Sequence, residues 1–249
     1  VTRNNYWPIQ SFDGLILFNM DIPVLYEDKD VVVINKPAGL VVHPAPGNWS
    51  GTLLNALLAY DPACRDMPRA GIVHRLDKDT SGLMMVARTR QTMDALVSAI
   101  AARDVSRQYL ALAHNPWVQQ NKVTVNMPIG RDPRNRLRMA VVDLHSQAGK
   151  PAKTDIVHLS NGDGGCLVRC ILHTGRTHQI RVHMAHIGHP LVADSVYGGV
   201  PVSGMVRQAL HACRLAFTHP VTREQLIFEA DPSADFLDLL ANWGLSYNR

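Results

Sequence analysis

The sequence predicts an α+β protein built on a mixed, largely antiparallel sheet with flanking helices. Three observations carry this. Apolar runs of strand length recur along the whole chain, only four segments have a helical period, and the two kinds do not alternate in the βαβ rhythm of a parallel sheet. Residues Val1–Pro23 show no clear period and read as an irregular lead-in, so the domain is expected over residues 24–249. "VVVIN" (Val31–Asn35) is a buried strand, closed by the breaker Lys36-Pro37-Ala38-Gly39. "TLLNALLAY" (Thr52–Tyr60) is a short helix capped by Ser50 or Thr52. Gly71–His74 and Leu83–Arg88 read as strands on either side of a charged bend.

Thr89 caps an amphipathic helix through Ala102, with Met93, Leu96, Val97 and Ile100 on one face. Strands follow at Ser106–Ala113, Lys122–Ile129, Lys153–Leu159 and Cys166–His173. Thr177–Gly188 reads as a helix with Ile180, Met184 and Ile187 on one side, ended by Gly188. "LHACRLAFTH" and "QLIFEA" are further strands, and "ADFLDLLANW" is a final helix.

A chain of 249 residues is long enough to bury a sizeable core, and its formal net charge of +4 suits a polyanionic partner without requiring one. The longest apolar runs are far short of a membrane span, and the first residues lack a charged start followed by an apolar stretch, so neither a membrane segment nor a signal peptide is expected. Cys64, Cys166, Cys170 and Cys213 form no Cys-x-x-Cys pair, and their scatter suits reduced thiols in a cytoplasmic protein.

Four segments concentrate chemistry. In "GIVHRLDKDTSGLMMVART" (Gly71–Thr89) apolar residues frame His74, Arg75, Asp77, Lys78 and Asp79. A solvated hairpin loop is the plain interpretation. Against it, Thr80, Ser81 and Gly82 follow Asp77 and suit a turn that hydrogen-bonds a carboxylate, and an ionised carboxylate among donors is a usable nucleophile or base. "HTGRTHQIRVHMAHIGHP" (His173–Pro190) holds Arg176, Arg181 and a run of histidines that includes His178, His183 and His186. Their spacings do not match the i, i+4 pair of a helical zinc site, so polar packing, phosphate contact or an arginine paired with a buried carboxylate is expected rather than a metal. In "IGRDPRNRLRM" (Ile129–Met139), Arg131, Arg134, Arg136 and Arg138 crowd an apparent loop with only Asp132 against them, which favours phosphate tracking over a merely solvated face. Tyr109 in "SRQYLAL" and Lys36 and His43 in "NKPAGLVVHP" carry little signal alone.

Taken together, these segments resemble the RluA family of RNA pseudouridine synthases. "INKPAGLVVHP", "GIVHRLDKDTSGLMMVA", "GKPAKTD", "HTGRTHQIRVHMAHIGHPLVADSVYG" and "LHACRLAFTHP" match it in the family's order, over roughly residues 24–232. The resemblance implies a pseudouridine synthase fold with a central RNA-binding catalytic cleft. It implies that Asp77 is the catalytic aspartate, that Tyr109 lies against the uracil ring and takes part in proton removal, and that Arg181 pairs with the aspartate. Arg75 would help displace the target uridine from the RNA stack. His74, Lys36, Arg176, His178 and the arginines Arg131, Arg134, Arg136 and Arg138 would complete the substrate and RNA contacts.

The implied reaction breaks the N1–C1′ bond of a uridine, turns the base and joins C5 to C1′. No redox change occurs and no group is gained or lost, so neither cofactor nor metal is expected. The target base must leave its stack, which costs a few kcal/mol, and pocket contacts offset this. Large-subunit ribosomal RNA is the expected substrate and transfer RNA the alternative within the same chemistry. A non-catalytic RNA-binding module is the alternative of a different class, and it has no need to keep Asp77, Tyr109 and Arg181 together. Relatives that act on ribosomal RNA usually carry an N-terminal S4-like domain. Here the match begins near Val24, so either a catalytic fragment or a member that lacks that module is expected, acting as a monomer with no obligate protein partner.

Overall fold

The structure of the chain, a computed structural model, describes residues 22–135, 137–245 and 247, with the backbone of 11–12 and 15–16. In chain order the strands are β1 (Ser11–Phe12), β2 (Leu15–Ile16), β3 (Val24–Glu27), β4 (Val31–Lys36), β5 (Ser81–Ala87), β6 (Ser106–His114), β7 (Lys122–Asn126), β8 (Ile129–Arg131), β9 (Met139–Val141), β10 (Gly149–Lys150), β11 (Lys153–Gly162), β12 (Gly165–Leu172), β13 (Leu210–Thr218) and β14 (Gln225–Glu229). The helices are α1 (Leu53–Tyr60), α2 (Arg90–Ala102), α3 (Gln179–His186) and α4 (Ala234–Asn242), with two 3-10 turns at Pro62–Asp66 and Pro68–Gly71. The α+β expectation holds. Within the span 24–249 the described residues gather in two compact units, one of residues 1–105 and 214–230, the other of residues 106–213 and 231–249.

In the first unit the strand order is β3-β4-β5-β13-β14. The pairings β3–β4, β4–β5 and β13–β14 are antiparallel. The β3–β4 turn is fixed by Asp28, whose Oδ1 accepts the N–H groups of Asp30 and Val31 at 2.8 and 2.7 Å. Alternate residues of β4 and β5 (Val31, Val33, Leu83, Met85 and Ala87) face one apolar cluster with Met93 and Leu96 of α2 and Phe217 of β13. Thr89 caps α2 as expected, and its hydroxyl takes the N–H of Thr92. Val97 departs from the expected face and is 45% exposed, because the stripe that packs is the narrower one through Met93 and Leu96. α1 starts at a capping box: Thr52 accepts the Asn55 N–H while the Asn55 side chain takes the Thr52 N–H.

The expected strand Gly71–His74 does not form. Arg69, Ala70 and Gly71 are all left-handed, with φ of 55°, 51° and 79°, and only the single bridge Ile72–Val86 follows. A Cβ on Gly71 would lie 2.0 Å from the Ala87 carbonyl oxygen, so this close approach to the end of β5 requires glycine.

The second unit contains the antiparallel order β6-β12-β11-β7 and a separate three-stranded sheet in the order β10-β8-β9. The expected strand Lys122–Ile129 is divided at Met127-Pro128 between these two sheets. Leu110, Leu112 and Leu167 pack with Phe236, Leu239, Leu240 and Trp243 of the C-terminal segment. The glycines of the β11–β12 hairpin admit Trp243: a Cβ on Gly164 would lie 2.7 Å from its indole.

Among the described residues no helix is long and apolar enough to cross a membrane. All four cysteines are free and buried. Burial pushes the thiols of Cys64 and Cys166 up to about 12 and raises that of Cys170 further, so they are inert at neutral pH. The expected lead-in lies mostly outside the described residues, which show within it only the pair β1–β2.

Candidate active site

In the first unit Asp77 sits on an irregular segment between the left-handed turn and β5, half-buried, with Leu76 buried before it and Lys78 exposed after it. A turn closes behind it, where the Thr80 N–H donates to the Asp77 carbonyl at 3.1 Å. The floor of that turn is Lys36. Its side chain has no solvent exposure, and Nζ donates to the carbonyls of Pro37, Leu40 and Lys78 at 2.8, 2.9 and 3.0 Å. Three donors meet three acceptors, which makes burial of an ammonium tolerable. The Gly39 N–H reaches the same Lys78 carbonyl at 2.9 Å, so the breaker after β4 and the Asp77 turn are tied at two points. The structure therefore corrects the expected substrate contact of Lys36. The side chain is an internal strut beneath Asp77, and its charge does not face solvent.

His74 is also turned inward in part. Its Nε2 accepts the Met85 N–H at 3.1 Å, where a continued strand would have offered a carbonyl. Arg75 is exposed. His43 lies within the reach of its charge: burial lowers the imidazole pKa, and the nearby charges of Arg75 and Arg69 lower it further, so His43 is neutral at pH 7. This grouping of Arg69, Arg75 and His43 is not legible in the sequence, since the three lie on separate segments.

In the second unit Tyr109 lies on β6 opposite Cys170 and is buried. Arg181, on α3, is 5% exposed and meets Asp194, 1% exposed, in a two-pronged pair: Nε to Oδ2 at 2.7 Å and Nη2 to Oδ1 at 2.9 Å. Its guanidinium also lies 5.0 Å from the Tyr197 ring centroid. Asp194 is presented by a tight turn in which its carbonyl accepts the N–H groups of Tyr197 and Gly199. A Cβ on Gly199 would lie 1.8 Å from the Leu191 carbonyl oxygen, so the turn needs glycine there. Sequence reasoning did not single out Asp194 or Tyr197. The signal available was an acid and an aromatic inside "LVADSVYG", beside an arginine expected to need a carboxylate.

The histidine-rich block divides by role. His178, at the start of α3 in the left-handed region, meets the Tyr197 hydroxyl through Nδ1 at 2.8 Å. That hydroxyl also accepts the Met139 N–H at 2.9 Å. His183 is fully buried: its Nε2 donates to the Met127 carbonyl, its Nδ1 accepts from Thr154, and burial lowers its pKa, so it is a neutral core residue. Gln179 organises the Thr174–His178 loop, accepting the Thr174 hydroxyl and the Arg176 N–H at 2.7 and 3.0 Å. Arg176 is half-buried, with Nε on the Pro151 carbonyl.

Arg131, Arg134 and Arg138 lie at the β8–β9 hairpin; Arg136 lies outside the described residues. Asp132 is buried inside that hairpin, with Oδ1 on the Arg134 N–H and Oδ2 on Arg138 Nε at 2.6 Å. These bonds hold its carboxyl below the usual range. Arg138 is thus partly neutralised, while Arg131 and Arg134 are exposed. One group of acidic and imidazole side chains has metal-like spacing, Asp28, Asp30 and His219. It does not suit an ion, because the His219 Nδ1 accepts the N–H groups of Val221 and Thr222, which leaves the proton on the Nε2 that faces Asp28.

The family profile described as RNA pseudouridylate synthase matches residues 30–186. A protein of Neisseria meningitidis serogroup B named ribosomal large subunit pseudouridine synthase D is 51% identical over 233 residues, covering 89% of this chain and 61% of the relative. The protein of that name from Xylella fastidiosa is 50% identical over 236 residues, covering 89% and 70%. This chain therefore spans less than two thirds of the Neisseria protein's length. Among solved structures, human RNA pseudouridylate synthase domain containing 1 matches with a TM-score of 0.65 at 29% identity, over 85% of this chain and 83% of that one. Human RNA pseudouridylate synthase domain containing 4 matches with a TM-score of 0.72 at 23% identity, over 91% and 94%, a likeness of fold.

Proposed function

This chain belongs to the RNA pseudouridylate synthase family, and from that premise we propose that it isomerises uridine to pseudouridine in large-subunit ribosomal RNA. The observation that carries the proposal is the platform under Asp77. A half-buried carboxylate stands on a turn whose carbonyls are pinned from below by the buried ammonium of Lys36. Such a platform fixes the place of the carboxylate, which suits attack on, or proton removal from, a flipped nucleotide.

In this reading Asp77 assists cleavage of the N1–C1′ bond, the freed uracil turns, and C5 bonds to C1′. The C5 proton then leaves, with Tyr109 in the role of acceptor or relay, and N1 ends protonated, so reactant and product have the same atoms. Arg181 is the basic partner that keeps the Asp77 carboxylate ionised. Its clamp on Asp194 and its place over Tyr197 support this role, since a fixed guanidinium loses little freedom when it engages an anion. Arg75 replaces or expels the target base, and Arg131, Arg134, Arg136 and Arg138 track phosphates, with His74, Arg176 and His178 supporting the substrate pocket. The enzyme works in the cytoplasm as a monomer without cofactor or metal.

Pseudouridine mapping of total RNA from cells lacking the gene, by carbodiimide labelling and primer extension, tests the proposal. Marks lost from large-subunit RNA and restored by the wild-type gene, but not by Asp77→Asn, are expected. Marks lost only from transfer RNA would keep the chemistry and overturn the substrate. Restoration by Asp77→Asn would overturn the role of the aspartate.

A further inference from the structure

Trp49 is 68% exposed, the largest side chain so presented among the described residues. An indole of that size is rarely left in water without a use. Its loop is well defined. The Leu53 and Leu54 N–H groups bond the carbonyls of Val41 and Val42, which pins both ends of the excursion. Within it, Ala45 and Asn48 exchange two backbone hydrogen bonds of 3.1 and 2.8 Å around Pro46 and Gly47, the latter at φ 85°. This is the Pro-Gly form of a tight turn. Trp49 follows the Asn48 side of this bridge, and His43 and Pro44 precede its Ala45 side.

The surroundings are cationic. Arg69 and Arg75 both act on the His43 imidazole, and both are exposed. Arg69 is also held at a left-handed φ of 55°, a conformation that costs a non-glycine residue about 1–2 kcal/mol and persists only where the surroundings impose it. An exposed indole on a pinned loop, whose His43 lies within reach of two exposed guanidiniums, has the make-up of a single-strand nucleic-acid site, in which bases stack on aromatics and phosphates meet arginines.

We propose that Trp49 is a stacking platform for one unpaired base of the RNA substrate, with Arg69 holding the adjacent phosphate. This rests on the reading of the chain as an RNA-modifying enzyme and adds a substrate-positioning residue outside the catalytic set. The alternative occupant, a protein partner, would use Trp49 as an apolar anchor and would not distinguish a planar ring from an aliphatic side chain.

The test uses the full chain, a large-subunit RNA stem-loop carrying C5-tritiated uridine, and the variants Trp49→Ala, Trp49→Phe and Trp49→Leu. Tritium release reads turnover, and filter binding of the same RNA reads affinity. Trp49→Ala is expected to raise KM and Kd roughly tenfold with kcat within about twofold, Trp49→Phe to recover most of the loss, and Trp49→Leu to recover little. Wild-type turnover with all three variants binding like wild type would overturn the platform and leave the isomerase reading intact. Equal recovery by Leu and Phe would overturn stacking as the mode of contact. Tight RNA binding that follows the Trp > Phe > Leu order, without tritium release by any form, would uphold the platform and overturn the isomerase reading.

Discussion

The turn that carries Asp77 and the helix that carries Arg181 face the same physical problem and solve it differently. Each must hold a charged group at a fixed place beside an apolar core. In the first unit the support is a buried ammonium set on backbone carbonyls: Lys36 Nζ reaches Pro37, Leu40 and Lys78. In the second it is an ion pair of two buried side chains, Arg181 and Asp194. The carbonyl clamp fixes the backbone on which the carboxylate stands. The ion pair fixes a side chain and neutralises part of its charge. The difference teaches that the acid is positioned through its main chain, and the base through its own guanidinium.

Breaking each support separates the two devices. The largest stability effect is expected from Asp194→Ala, which removes the buried carboxylate that both prongs of the Arg181 guanidinium engage. A loss of about 3–5 kcal/mol, read from urea midpoints, is expected. A loss under about 1 kcal/mol would mean that the pair is loosely held and that the contrast fails. Lys36→Met removes the strut and strips three carbonyls of this donor, of which that of Lys78 keeps the Gly39 N–H. A loss of about 2–3 kcal/mol is expected, together with a fall in turnover larger than the unfolded fraction explains, because the Asp77 turn loses its floor. Normal turnover in the folded variant would show that the turn holds itself.

These supports mark the limit of what sequence reading reaches. Helices α1, α2 and α4 and most long strands follow from period and caps, as at Thr52 and Thr89, because their signal is local. Strands β3, β9 and β10 are too short to show a period and exist only through their neighbours. The stretch before His74 reads as strand by composition, yet three left-handed residues prevent it. α3 shows no clean stripe because Gln179 through Met184 are all buried, the polar ones each with a partner. Asp77, Tyr109 and Arg181 were legible as residues of interest through motif order. The buried place of Lys36 is not legible because lysine is seldom buried, and Asp194 is not legible because its turn, not its spacing, delivers it to Arg181.

The hairpin arginines offer a smaller contrast within one element. Arg138 is paired to Asp132, while Arg131 and Arg134 are exposed. The double variant Arg131→Gln, Arg134→Gln is expected to lower the salt dependence of RNA binding by about two units of slope, while Arg138→Gln changes it by less than about one. Equal slopes for all would make the hairpin a solvated face.

The smallest effect is on acid stability. Burial alone would raise the Asp155 carboxyl, but bonds from Lys122, Thr124 and His173 outweigh it and hold the pKa at about 2. A folded value below the unfolded one contributes stability above the unfolded pKa, and that contribution is lost as pH falls through about 4 toward 2. The urea midpoint of the wild type is expected to drop across this window more than that of Asp155→Asn. Parallel curves would contradict the assignment.

The most direct test of the central claim is tritium release from a C5-tritiated large-subunit RNA transcript by the wild type and by Asp77→Asn, with RNA affinity measured on both. The expected result is release by the wild type and a rate lower by on the order of 10⁴-fold or more in the variant at similar RNA affinity. Release by Asp77→Asn at a rate comparable to the wild type would contradict the account.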